Sequence, residues 1–177
     1  LVLGLDPMHV ESPDIQEKII AAFERSRDFD SATAERNMLT QTYSEGSAWY
    51  EANSDNPEAL DKAAKLAKKS LYAAAIYFHK QAQTLKGAEK LVEAKDAYIR
   101  AAAIYGEYLS RFPHDKELYT LTYYYAECLY YSEELERSAI AYKKVRDAIG
   151  ETEFFEAAAF SVVLAYQDLT KKLEEAG

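Results

Sequence analysis

AAAIYGEYLSRFP, residues 101–113, runs directly into HDKELYTLTYYYAECLYYSEELERSAIAYKKV, residues 114–145. The first segment spaces Ala101, Tyr105 and Pro113 four and then eight residues apart, and Ser138, Tyr142 and Gly150 repeat that spacing 37 residues later. A small residue where two helices cross, a ring one turn on and a breaker two turns further describe the second half of a helical hairpin. Its recurrence predicts stacked hairpins. Ala126 and Ser138, 12 residues apart, mark one crossing, and 37 residues beyond Ala126 the pattern falls on Val163, with Tyr166 three later.

Working outward, helices are predicted near 115–131, 134–149 and 152–175. Before the quoted stretch, two long helices are expected at about 57–85 and 88–112, with Ala75 and Ala101 at their crossing. These two alanines stand 26 residues apart, so the hairpin is read as elongated, its tip near Lys86-Gly87 projecting beyond the array. Asn53-Ser54-Asp55-Asn56-Pro57 is a break. A helix from about Asp30–Ser31 to Ser54 is expected upstream, carrying Met38, Leu39, Tyr43 and Trp49 for packing, with a bend or a close helix contact at Gly46. Ser12 is the candidate N-cap of a first helix, Pro13 its first residue, and Ile15, Ile19, Ile20 and Phe23 its apolar stripe. The expected fold is all-α: a right-handed stack of about seven antiparallel helices with one elongated hairpin. Residues 1–11 form a tail or the end of a preceding repeat, 12–56, 57–113 and 114–150 are hairpins, and 151–177 is a final helix.

Composition agrees with this class. Of 177 residues, 49% are hydrophobic and only 6 are Gly and 4 Pro, too few breakers for a many-stranded sheet. The net charge of −9 argues against general binding of a phosphate backbone, so nucleic acid is not an expected partner. Residues 61–100 nonetheless carry nine basic and four acidic side chains. Lys62, Lys65 and Lys69 share one helix face there, a candidate basic patch for anionic lipid or an acidic protein segment. Any membrane contact is expected only through that peripheral face. A single cysteine, Cys128, allows no intrachain disulfide, and its apolar neighbours predict a buried inert thiol.

The quoted residues resemble tetratricopeptide repeat (TPR) proteins, well over 88–168 and more loosely over 12–87. The wording is also similar to TPR segments of bacterial cell-envelope proteins of the outer-membrane-assembly, Tol-Pal-associated and gliding-motility kinds. Leu5-Asp6-Pro7 resembles the close of a preceding unit, so the chain is expected to be part of a larger multi-repeat protein, periplasmic or otherwise in the envelope. The resemblance implies a non-enzymatic scaffold that takes a protein or peptide segment in a concave groove lined by the first helix of each hairpin. Carried onto this chain, the groove positions are Tyr72, Ile76, His79 and Lys80, then Thr120, Tyr123, Glu127, Tyr130 and Tyr131, then Phe160, Leu164, Gln167 and Asp168. The partner-binding set is Tyr72, His79, Lys80, Tyr123, Glu127, Tyr130, Tyr131 and Gln167. Tyr105, Tyr142 and Tyr166 occupy core positions of the family.

Alternatives to a groove binder are a spacer that stacks onto further repeats, with buried tyrosines and exposed apolar ends, or a membrane-surface adaptor using the 61–100 hairpin. No catalytic constellation is found. Ile76 and Arg111 stand three residues before His79 and His114, where a di-metal bundle would need Glu, and no glycine-rich phosphate loop occurs. No cofactor or metal is expected.

Overall fold

The computed structural model describes Gly4 and residues 6–176, the side chain of Ala176 excepted, so the 1–11 reading lies partly outside the described residues. Among the described residues eight helices are assigned: α1 (Ser12–Arg25), α2 (Phe29–Thr42), α3 (Ala48–Ala52), α4 (Pro57–Gly87), α5 (Leu91–Arg111), α6 (Leu118–Tyr131), α7 (Leu135–Arg146) and α8 (Phe155–Ala176). The chain is all-α. It divides into two compact units, residues 1–71 and 72–177, and the division falls inside α4.

In the first unit, α1 and α2 pack together around Ile20, Leu39, Tyr43, Trp49, Ala59 and Ala63. Trp49 meets the Tyr43 ring edge-on at 5.2 Å and donates its indole N–H to the His9 carbonyl at 2.9 Å. The single helix expected over 31–54 is two helices. Gly46, at φ +80°, takes a left-handed conformation that an α-helix does not contain, so the chain turns where a mild bend was expected. Met38 faces solvent, 52% exposed, rather than packing. Ser12 is not the cap either: Glu11 holds that position, and Ser12 is buried with its hydroxyl directed at the Asp6 carbonyl.

In the second unit α5, α6, α7 and α8 pack each on the next. Three turns of the chain, α1 to α2, α4 to α5 and α6 to α7, have the same geometry. Arg27, Glu89 and Glu133 stand at φ 62°, 60° and 65°. The following N–H groups, of Asp28, Lys90 and Glu134, donate to the carbonyls of Phe23, Leu85 and Leu129 at 3.0, 3.0 and 2.9 Å. These are Schellman closures, made with arginine or glutamate where glycine is usual.

The shared turn sets a common register. Seven residues before each left-handed residue lie Ile20, Ala82 and Ala126, and five after it lie Ala32, Ala94 and Ser138; all six are buried. The crossing of the α4–α5 hairpin next to its turn is therefore Ala82 on Ala94, with the same 12-residue spacing as Ala126 and Ser138. Ala75 and Ala101, also buried, lie one heptad further from the turn on each helix. The extra length is at the far end of the hairpin, and its tip does not project: Lys86 and Tyr98 both touch Tyr131 at the neighbouring turn, and Lys95 pairs with Glu133 at 2.9 Å.

Candidate functional site

Tyr72, Ile76, His79, Gln83 and Lys86 recur at alternating steps of four and three along α4, which puts them on one helix face. On α6, Thr120, Tyr124, Glu127 and Tyr131 do the same, and Tyr123 stands beside Tyr124. The two rows meet in the second unit around His79, which is 5% exposed. Its ring lies edge-on to Tyr98, Tyr105 and Tyr124, with centroids 6.0, 5.9 and 5.5 Å away. Its Nδ1 is 3.3 Å from the Tyr105 hydroxyl and its Nε2 is 3.2 Å from Gln83 Nε2, so both ring nitrogens are satisfied inside the protein.

Burial lowers the His79 pKa to about 4, which leaves the ring neutral at pH 7. The 4.0 Å approach of Glu127 to His79 is then no ion pair at that pH. Glu127 is half-buried, and desolvation raises its pKa while Lys86 opposes the rise. Burial also pushes the hydroxyl of Tyr123 up to about 12. A hydrogen bond to Asp168 does the same for Tyr130, likewise to about 12. Tyr123 and Tyr130 are thus protonated at pH 7.

Neighbouring rings stack on one another. Tyr123 stacks on Phe154 with centroids 4.3 Å apart and planes 8° from parallel, and Tyr98 stacks on Tyr131 at 4.9 Å. Tyr72 and Tyr131 are the open ends, 39% and 36% exposed. Lys80 and Gln167 face solvent, and Tyr123, Glu127 and Tyr130 are half-buried. His79 alone of the predicted binding set is buried; it supports the rings from beneath and offers no surface to a partner. Phe154 was not anticipated, although its place directly before an apolar helical run marks it as a residue that closes onto the preceding pair.

Two core expectations hold and one does not. Tyr105 and Tyr142 are buried, but Tyr166 is 41% exposed. The buried row of α8 is Ala158, Val162 and Ala165, and Tyr166 stands one residue past it, at the edge of the exposed face. Cys128 is buried and its thiol pKa is raised by desolvation. In the first unit Lys62, Lys65 and Lys69 each reach a carboxylate: Asp14 at 2.8 Å, Asp61 at 2.5 Å and Glu17 at 3.7 Å. The patch is charge-compensated locally.

A cleft of about 830 Å³ lies elsewhere in the second unit, between α5, α6 and α7. Leu109, Tyr119, Tyr125 and Ile140 line it, and Arg137 donates to the Tyr125 hydroxyl at 2.9 Å. Among the described residues no group of His, Cys, Asp and Glu could hold a metal ion, and no helix is long and apolar enough to cross a membrane. Neither a family model, nor a curated protein, nor a solved structure matches the chain.

Proposed function

We propose that the chain is a TPR-like scaffold whose second unit binds a protein or peptide segment across the aromatic face of α4 and α6. The observation that carries this reading is the common turn register: three hairpins close through the same left-handed residue and cross at buried pairs spaced alike. Hairpins built alike are the unit from which a repeat array is made. A face of tyrosines that are neither core nor fully solvated fits a binding surface, because each ring can bury further area while its hydroxyl keeps a polar contact.

The test is site-specific photocrosslinking. A photoreactive phenylalanine is placed at Tyr72, Lys80 or Gln167, three exposed positions, and at Ile140 on another face as a control. Crosslinks to one partner from the first three and none from Ile140 carry the reading. Equal labelling from all four positions, or none from any, overturns it.

A second reading, stacking onto further helices, is favoured by α8. Phe160, Val163, Tyr166 and Leu173 there are 65%, 52%, 41% and 65% exposed. A photoreactive group at Phe160 that alone gives crosslinks would make this the better account.

A further inference from the structure

Resting on the binding-face reading, we propose that the corner formed by Tyr98, Tyr131 and Glu127 receives a lysine or arginine side chain of a basic partner segment. Lys86 keeps the place when no partner is bound. The Lys86 ammonium sits 3.5 Å from the centre of the Tyr131 ring. Tyr131 is stacked on Tyr98, so the ring that meets the cation is held in position. Glu127 lies one helical turn before Tyr131 on the same face, and Lys86 is the charge that stabilises its carboxylate. A π face beside a half-buried carboxylate attracts a cation twice over, through the ring quadrupole and through charge.

The surroundings have the same sign. Glu127, Glu153 and Glu117 all act on the Tyr124 hydroxyl, and Asp168 accepts from Tyr130. His79 beneath them is neutral at pH 7. Lys95 and Lys172, the cations at the neighbouring turn, are engaged by Glu133 at 2.9 and 3.5 Å. An acidic segment would meet repulsion here and a basic one attraction. Lys86 itself is exposed, stands one residue from the end of α4 and carries a long flexible stem, so it can swing aside when another cation competes.

The experiment is calorimetric titration of the full chain with two acetylated, amidated octapeptides, alternating Ala-Lys and alternating Ala-Glu, at low and moderate salt. The basic peptide is expected to bind in a salt-dependent way and the acidic one not. K86M, which keeps the stem and removes the competitor, is expected to tighten the basic peptide roughly threefold. E127Q, nearly isosteric, is expected to weaken it roughly fivefold. Y131F, which keeps the ring, should bind like the wild type, and Y131L should lose binding. Opposite effects of two conservative changes are not what a merely structural role produces. Equal binding of both peptides, binding of neither, or unchanged affinity in K86M and E127Q overturns the proposal. Crosslinking from Tyr72, Lys80 and Gln167 without preference for the basic peptide keeps the binding face and removes only the basic partner.

Discussion

Ser138 donates its hydroxyl to the carbonyl of Ala126 at 2.9 Å, from one side of the α6–α7 crossing to the other. Both residues are fully buried, and the equivalent places in the other two hairpins hold Ala32 and Ala94. S138A loses one buried hydrogen bond but leaves a residue the fold accepts, so it should cost about 1 kcal/mol. S138L forces three extra carbons into a close helix contact and should cost about 3 kcal/mol. Urea unfolding of the two variants checks the ordering; a costlier S138A would show that the bond, not the space, sets the crossing.

The register of that crossing was only half legible in the sequence. In α5 the pair of an alanine and a tyrosine four residues on occurs twice, as Ala94 with Tyr98 and as Ala101 with Tyr105, and all four are buried. A spacing argument cannot choose between copies one heptad apart, and taking Ala101 put the extra length of the hairpin at the wrong end. The feature that decides is a backbone angle at Glu89, a residue type with no preference for the left-handed region. On α6 the positions carried over from the TPR resemblance include Tyr123, Glu127 and Tyr131, which steps of four residues put on one face by helix geometry alone. Their support by His79 depends on a long-range meeting of α4 with α5 and α6, which no local pattern carries.

The left-handed turns make a paired prediction. Glu89 at φ 60° is strained as glutamate, so E89G should stabilise the protein by about 0.5–1 kcal/mol. At Gly46, φ +80°, an added Cβ meets nothing within 4 Å, so G46A isolates the backbone term and should destabilise by about 1 kcal/mol. Thermal melts of both variants would check the two signs.

His79 gives the protein a calculable pH dependence. Its folded pKa, about 4, lies below the ordinary value of 6.5, so the unfolded chain binds the extra proton between those pH values. The stability linked to neutral His79 is complete above pH 6.5 and is lost as pH falls towards 4, about 3 kcal/mol in all. Glu127 works the other way, since its folded pKa is raised and its protonation is favoured in the folded state. The stability difference between wild type and H79Q isolates the histidine: it should shift by about 3 kcal/mol against the wild type from pH 7 to pH 4. A difference that stays constant with pH would mean that the folded imidazole keeps its ordinary pKa, and one that moves in favour of the wild type would place a charged imidazole in the fold.

Arg36, 3% exposed, donates to Glu24 at 2.6 Å and to the Ser70 hydroxyl at 3.1 Å in the first unit. It occupies the place that Tyr98 and Tyr142 hold in the other hairpins, counted nine residues from each left-handed turn. Glu24 is 43% exposed, so E24Q should cost only about 1 kcal/mol. R36A also removes the buried stem and should cost about 3 kcal/mol. Denaturant midpoints that rank the two the other way would mean that charge outweighs packing at this position.

Helix α4 supplies Ala59 and Ala63 to the core of the first unit and Ala74, Phe78 and Ala82 to the interior of the second. A helix melts from its ends inward, because starting a new turn is far harder than extending an old one. Loosening at either half of α4 therefore removes the template on which the other half is held. A cut between Leu71 and Tyr72 would not release two independent pieces, each with a whole set of helices, but two fragments sharing one broken element. In genetic terms, a recombination point is expected to be tolerated at the hairpin turns and not between Leu71 and Tyr72, where the two cores divide inside one helix.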